Sequence, residues 1–223
     1  MSTERNSPAG GTARDRTPNA ARRSEASRRA ILTAAFDLVG EVGYARLSIE
    51  GIAARAGVGK QTIYRWWPSK GAVLFDAVLM LAQDPGGGTA ALPDTGDLAA
   101  DLGLVLRATV DEFADPRFSE PLRALSTEIA HDPALARSYA ERLDGPLREA
   151  KKDRLRSAQR VGDLPEDLDL DLAVDLIWGP LTARWLHRTG PLTHAFADAL
   201  VAAALDGLRG AAAPGRDGTG RRE

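Results

Sequence analysis

The chain of 223 residues contains no cysteine, which excludes disulfide frameworks, thiolate nucleophiles and Cys-based zinc sites. It has only three histidines, widely placed, so neither a metal site nor a cofactor is expected. No apolar run approaches the roughly 20 residues needed to span a bilayer. The opening segment MSTERNSPAGGTARDRTPNAARR lacks the apolar core of a secretory signal and is rich in Ser, Thr, Pro, Gly and Arg. Residues 1–24 are therefore expected to form a disordered basic arm, with cytoplasmic location as the consequence. The closing AAAPGRDGTGRRE gives the same expectation for residues 210–223. Strand-like alternation and internal repeats are also missing.

What the chain does contain is helical periodicity, charge asymmetry and turn signals. Net charge is only −2, yet Arg22 to Lys70 holds nine Lys or Arg against four Asp or Glu, a net +5. From Gly71 onward the count is 17 against 25, a net −8. A basic front on an acidic body suits a protein that meets a polyanion at one end only. Ile31, Ala34, Ala35, Leu38 and Val42 recur at helical spacing, which predicts a first helix over Ser27 to Val42. Ser48 is placed to cap a second helix that Gly57 ends, and a third, from Lys60 to about Trp66, is anchored by Ile63 and Trp67. Pro68-Ser69 opens a fourth.

The run DPGGGTAALPDTG, Asp84 to Gly96, breaks the pattern. Five helical stretches follow: Leu98 to Phe113, Glu120 to Ala130, Pro133 to Arg160, Asp167 to Leu186 and Leu192 to Leu208. Gly145-Pro146 and Gly179-Pro180 are expected to kink or split two of them. The fold class is all-α.

AGVGKQT, Ala56 to Thr62, invites comparison with a nucleotide-binding loop, G-x-x-x-x-G-K-[ST]. The first glycine of that motif would fall on Ala54, Gln61 follows the lysine, and the preceding IEGIAARA is helix-patterned rather than a strand. The steric needs of a helix-turn-helix are met instead. Ala53 is small where two helices cross, Gly57 accepts a left-handed turn, and Val58 and Ile63 fill the angle.

The stretch from Arg29 to Leu74 resembles the DNA-binding domain of the TetR family of bacterial transcriptional regulators. The resemblance rests on Gly43-Tyr44, Ser48, Ile52-Ala53, Ala56-Gly57-Val58, Tyr64-Arg65-Trp66-Trp67 and Pro68-Ser69-Lys70, and covers about a fifth of the chain. It implies an N-terminal three-helix helix-turn-helix domain, residues 25–70, and a C-terminal helical ligand-binding and dimerisation domain, residues 71–209. It also implies that Lys60, Gln61 and Thr62 face the major groove of double-stranded operator DNA. Ser48, Tyr64, Trp66 and Lys70 would contact the DNA backbone, helped by Arg28, Arg29 and Arg46. Gly59 stands where the family usually has Ser, and Trp66-Trp67 replace the usual His-Phe.

The same resemblance implies a homodimer through the last two long helices and an unidentified small-molecule effector. Phe113, Phe118, His131, Tyr139, Trp178 and Trp185 are the candidate ligand-binding residues, although aromatic residues at helical spacing more often serve the core. Repression relieved by ligand is the family's commonest mode, and some members activate transcription. A helical interaction protein without DNA binding is the alternative. No Ser-His-Asp or paired-carboxylate arrangement supports an enzyme, and Asp167, Asp169, Asp171 and Asp175 read as a solvated acidic helix start.

Overall fold

In a computed structural model, which describes residues 17–82 and 91–210 with side chains from residue 22 onward, ten α-helices and no strand occur among the described residues. The first is α1 (Thr17–Val42), followed by a 3-10 turn at Tyr44–Arg46, α2 (Ile49–Ala56), α3 (Lys60–Tyr64) and α4 (Lys70–Ala82). Then come α5 (Leu98–Ala114), α6 (Pro116–His131), α7 (Pro133–Tyr139), a π-helical turn at Ala140–Asp144 and α8 (Gly145–Arg160). The last pair is α9 (Leu170–His187) and α10 (His194–Gly210).

Several boundaries differ from expectation. The helix of α1 begins at Thr17, so residues 17–24 are not the disordered arm that their polar composition suggested. The stretch NAARRSEASRRA holds several Ala and Arg, both strong helix formers, and continues the first helix backward. Residues 1–16 and 211–223, and most of the Gly/Pro-rich break, lie outside the described residues. α6 starts early because Asp115 caps it through Arg117 N and Pro116 occupies its first turn. The long Pro133 to Arg160 stretch divides at the π turn. There a Cβ on Gly145 would lie 2.8 Å from the Ala140 carbonyl oxygen. By contrast, α9 passes through Gly179-Pro180 without interruption.

Two cores organise these helices. The first joins Ile31, Leu32 and Ala35 of α1, Ile52 of α2, Ile63 and Trp67, the apolar positions of α4, and Leu125, Leu135 and Leu143 from the segments beyond. α4 therefore packs as part of the N-terminal core, and the division expected at residue 70 does not separate two packing units. The second core gathers Leu98, Leu102 and Leu106 of α5, Leu155 and Ala158 of α8, Ile177, Trp178 and Leu181 of α9, and Val201, Leu205 and Leu208 of α10.

A charged pair is sealed beside this second core. Arg154 Nε and Nη2 donate to Asp101 Oδ2 at 2.9 and 2.8 Å, and both residues are buried. Thr95 completes the site, its Oγ1 donating to Oδ1 at 2.8 Å and its backbone N to Oδ2 at 3.0 Å. Burial pushes the Asp101 pKa up, but the Thr95 and Arg154 hydrogen bonds outweigh it and hold the group below its ordinary 3.8. Arg154→Met strands the carboxylate and is expected to cost about 3–5 kcal/mol, whereas Asp101→Leu with Arg154→Met recovers most of it. Because the folded pKa lies below the unfolded one, the carboxylate's stabilisation is complete above the unfolded value and is lost as pH falls through the folded one. Urea denaturation from about pH 5 to 3 should show acid sensitivity in the wild type that is reduced in the double variant.

Candidate nucleic-acid interface

The turn between α2 and α3 is built as the sequence requires. Ser48 Oγ accepts from Gly51 N at 3.1 Å, satisfying one of the unpaired donors at the start of α2. Gly57 closes the helix with φ 66° and ψ 34°, left-handed values at which a Cβ is strained. Val58 N then donates to Ala53 O at 3.0 Å, and Ala53 is buried at the crossing. Gly59 has ordinary extended backbone, so its missing side chain is not a conformational need, and the start of α3 has no side-chain cap. Ile63 and Trp67 are buried and hold α3 against α1 and α2.

That anchoring leaves Lys60, Gln61, Tyr64 and Arg65 exposed, with Thr62 half-buried. Tyr64 keeps 52% of its surface, high for an aromatic residue with no core role. The Arg65 guanidinium lies 5.4 Å from the Trp66 ring centroid, and Trp66 meets Trp67 edge-on at 5.3 Å. Arg29, Arg46 and Ser48 are exposed.

Three of the expected contacts are engaged within the fold. Lys60 Nζ donates to Glu50 Oε1 at 2.9 Å, and this pairing raises the lysine pKa and lowers the carboxylate's. Lys70 Nζ lies 4.2 Å over the Tyr44 ring and donates to the Tyr44 and Leu47 carbonyls at 3.2 and 3.3 Å, so it braces the corner after α1. Burial, and then the neighbouring Glu128 carboxylate, push the Tyr44 hydroxyl pKa up. Arg28 Nη2 donates to Asp76 Oδ2 at 3.2 Å and also pairs with Glu25. Glu50, Arg65 and Asp76 were not singled out from the sequence. Asp76, an acid in the apolar run KGAVLFDAVLMLA, was the legible signal among them.

The aromatic candidates for a ligand are divided between the two cores and the surface. Phe113 stacks on Trp185 with centroids 4.2 Å apart, while Trp185 Nε1 donates to Ser119 Oγ and its carbonyl accepts from Arg123. Trp178 is buried in the second core under Lys151, whose Nζ lies 4.9 Å from the ring and whose pKa burial lowers. Tyr139 tilts against Phe75 in the first core. Phe118 is exposed beside Phe36, and His131 is exposed at the end of α6.

Comparison with known proteins agrees with this geometry. Residues 31–77 match the family described as bacterial regulatory proteins, tetR family, and residues 92–204 match the tetracyclin repressor-like C-terminal domain. The HTH-type transcriptional regulator YdeS of Bacillus subtilis is 34% identical over 192 residues, covering 86% of this chain and 94% of that protein. The DNA-binding transcriptional repressor TetR of Mycobacteroides abscessus is 32% identical over 183 residues, covering 80% and 92%. The crystal structure of the TetR family transcription regulator SCO0332 superposes with a TM-score of 0.64 at 36% identity, covering 81% of this chain and 97% of that one. The chain belongs to the TetR family of DNA-binding transcriptional regulators.

Proposed function

We propose that the chain is a homodimeric, non-catalytic repressor of the cytoplasm that reads its operator through the first turn of α3 and leaves it when a small molecule binds the helical body. The observation that carries this reading is the exposure of Lys60, Gln61 and Tyr64 on a helix whose other side is fixed by Ile63 and Trp67. Lys60 suits guanine O6 and N7, Gln61 suits adenine, and the Thr62 methyl suits thymine. Tyr64, Arg29, Arg46 and Ser48, all exposed, and the half-buried Trp66 would supply the phosphate contacts that the family resemblance implies. Arg28 and Lys70 act chiefly as braces.

The test uses a duplex selected from random-sequence DNA by the wild-type protein. Fluorescence anisotropy across a salt series is expected to give a steep fall of log affinity with log salt, reduced by about one unit in Lys60→Ala. Tyr64→Ala is expected to weaken binding about tenfold. A flat salt profile, or wild-type affinity in both variants, sinks the assignment. Glu50 competes with phosphate for Lys60, so Glu50→Gln is expected to tighten binding several-fold at low salt, an advantage that disappears as salt rises.

The dimer reading is supported by a shallow apolar groove of about 360 Å³ between α9 and α10, lined by Leu168, Leu172, Leu176, Leu200, Ala203 and Gly207. Leu172 and Leu176 are 53% and 46% exposed, and they lie one helical turn apart. Two such faces across a two-fold axis form a four-helix bundle. It would set the two α3 helices about 34–36 Å apart, to meet successive major grooves. Leu172→Arg with Leu176→Arg is expected to give a folded monomer by sedimentation velocity and to weaken binding to a palindromic duplex at least about 100-fold. A dimer that survives both changes would place the interface elsewhere.

A further inference from the structure

Asp76 is the meeting point of three donors from three separate segments. Trp67 Nε1, just beyond α3, donates to its Oδ2 at 2.9 Å, and Arg28 Nη2 of α1 donates to the same oxygen at 3.2 Å. Arg142 Nη2, from the π turn of the body, reaches Oδ1 at 2.9 Å. The acid is held under cover, with 13% of its side chain exposed. Trp67 is buried, and a phenylalanine there would fill apolar space without bringing a donor. The indole N–H therefore serves the link to Asp76 rather than the packing of α3.

The body end of this link is a π-helical turn with α-helix on both sides of it. The π turn at Ala140–Asp144 holds one more residue than an α-helical turn. Leu143 is buried in the first core, and the Arg142 guanidinium lies 5.1 Å from the Phe75 ring centroid. Gly145 permits this shape, because a Cβ there would lie 2.8 Å from the Ala140 carbonyl oxygen. Return of the turn to α-helical register rotates residues by about 100° about the axis and carries Arg142 away from Asp76. Arg28 of α1 holds the same carboxylate independently of the turn, so departure of Arg142 does not strand the acid without a cation, the outcome that makes loss of a buried partner ruinous. Two arrangements close in free energy are what a switch requires.

We propose that Asp76 is a positioning residue that couples the π turn to the reading helix: Arg142 on Oδ1 fixes the carboxylate, the carboxylate fixes Trp67, and Trp67 fixes α3. A ligand of the body that favours one register thereby changes how firmly α3 is held. This step rests on the regulator reading above, while the coupling itself does not require DNA.

The test is amide hydrogen exchange on the full-length protein, comparing residues 63–67 with residues 177–181 of α9. In Arg142→Met, and separately in Trp67→Phe, exchange at 63–67 is expected to rise about tenfold while α9 is unchanged. The double variant is expected to add little to either single change, because both cut one chain of contacts. Gly145→Ala is expected to reproduce the Arg142→Met pattern. Affinity for the selected duplex should fall about tenfold in each variant. Wild-type exchange at 63–67, an equal rise in α9, or multiplicative effects in the double variant overturn the relay. Wild-type exchange in Gly145→Ala overturns the role of the turn. Failure of the wild type to select any duplex overturns the DNA-binding reading and leaves the exchange result to judge the relay.

Discussion

The organisation of the molecule follows from one constraint: α4 is apolar nearly all the way round and must be covered on every side. Val73, Leu74, Phe75, Ala77, Val78 and Leu79 are all buried, and a helix of that kind cannot stand at a surface. α1 covers it from the head, while Leu125 of α6, Leu135 of α7 and Leu143 of the π turn cover it from the body. A division at residue 70 fails for this reason. The head shares α4 with the rest of its core, and α4 is covered jointly by the head and the body. Any shift in α6 or α7 must be accommodated by α4 and so by the helices that present α3.

The same economy governs charge at the front. The net +5 between Arg22 and Lys70 is not a field of free cations. Arg55 is held by Glu41 at 2.7 Å and Lys60 by Glu50 at 2.9 Å, both exposed pairs. Exposed pairs of this kind contribute little to stability, being screened by solvent and salt, so competing charges displace them readily. Lys70 and Arg28 are different in kind, one tied to two carbonyls and a ring, the other to a covered carboxylate. The first two pairs are exposed and readily exchanged, whereas Lys70 and Arg28 hold the scaffold.

The parts legible in the sequence were those governed by local rules. Helical spacing located the helices, Ser48 announced a cap, Gly57 announced a left-handed turn, and Ile63 with Trp67 announced the buried side of α3. Contacts between residues far apart in the chain were not legible. Nothing local ties Lys60 to Glu50 across the turn, Lys70 to the Tyr44 corner, or Asp76 to Arg142. The aromatic candidates illustrate the same limit. Phe113 and Trp185 are separated by about half of the body in sequence yet stack at 4.2 Å, while Phe118, five residues from Phe113, faces out beside Phe36. Composition marks a residue as able to line a pocket, but only the packing of α5, α6 and α9 decides where it points.

α9 shows how one helix can serve two surfaces. Val174, Ile177, Trp178, Leu181 and Trp185 turn into the second core, while Leu172, Leu176, Gly179, Pro180 and Ala183 lie exposed. Asp171 and Asp175 on its remaining exposed side pair with Arg148, while the outer leucines make an apolar strip of the kind that marks an interaction face. Gly179-Pro180 fits that reading better than the kink expected of it. Proline leaves the carbonyl four residues earlier, that of Leu176, without its usual N–H, yet α9 continues through it unbroken. Along the same side run Gly179 and Ala183 and, on α10, Ala199, Ala203 and Gly207, all small and exposed. Small residues let helix backbones approach closely, so the outer face of α9 and α10 has the shape, as well as the polarity, to receive a second copy of itself.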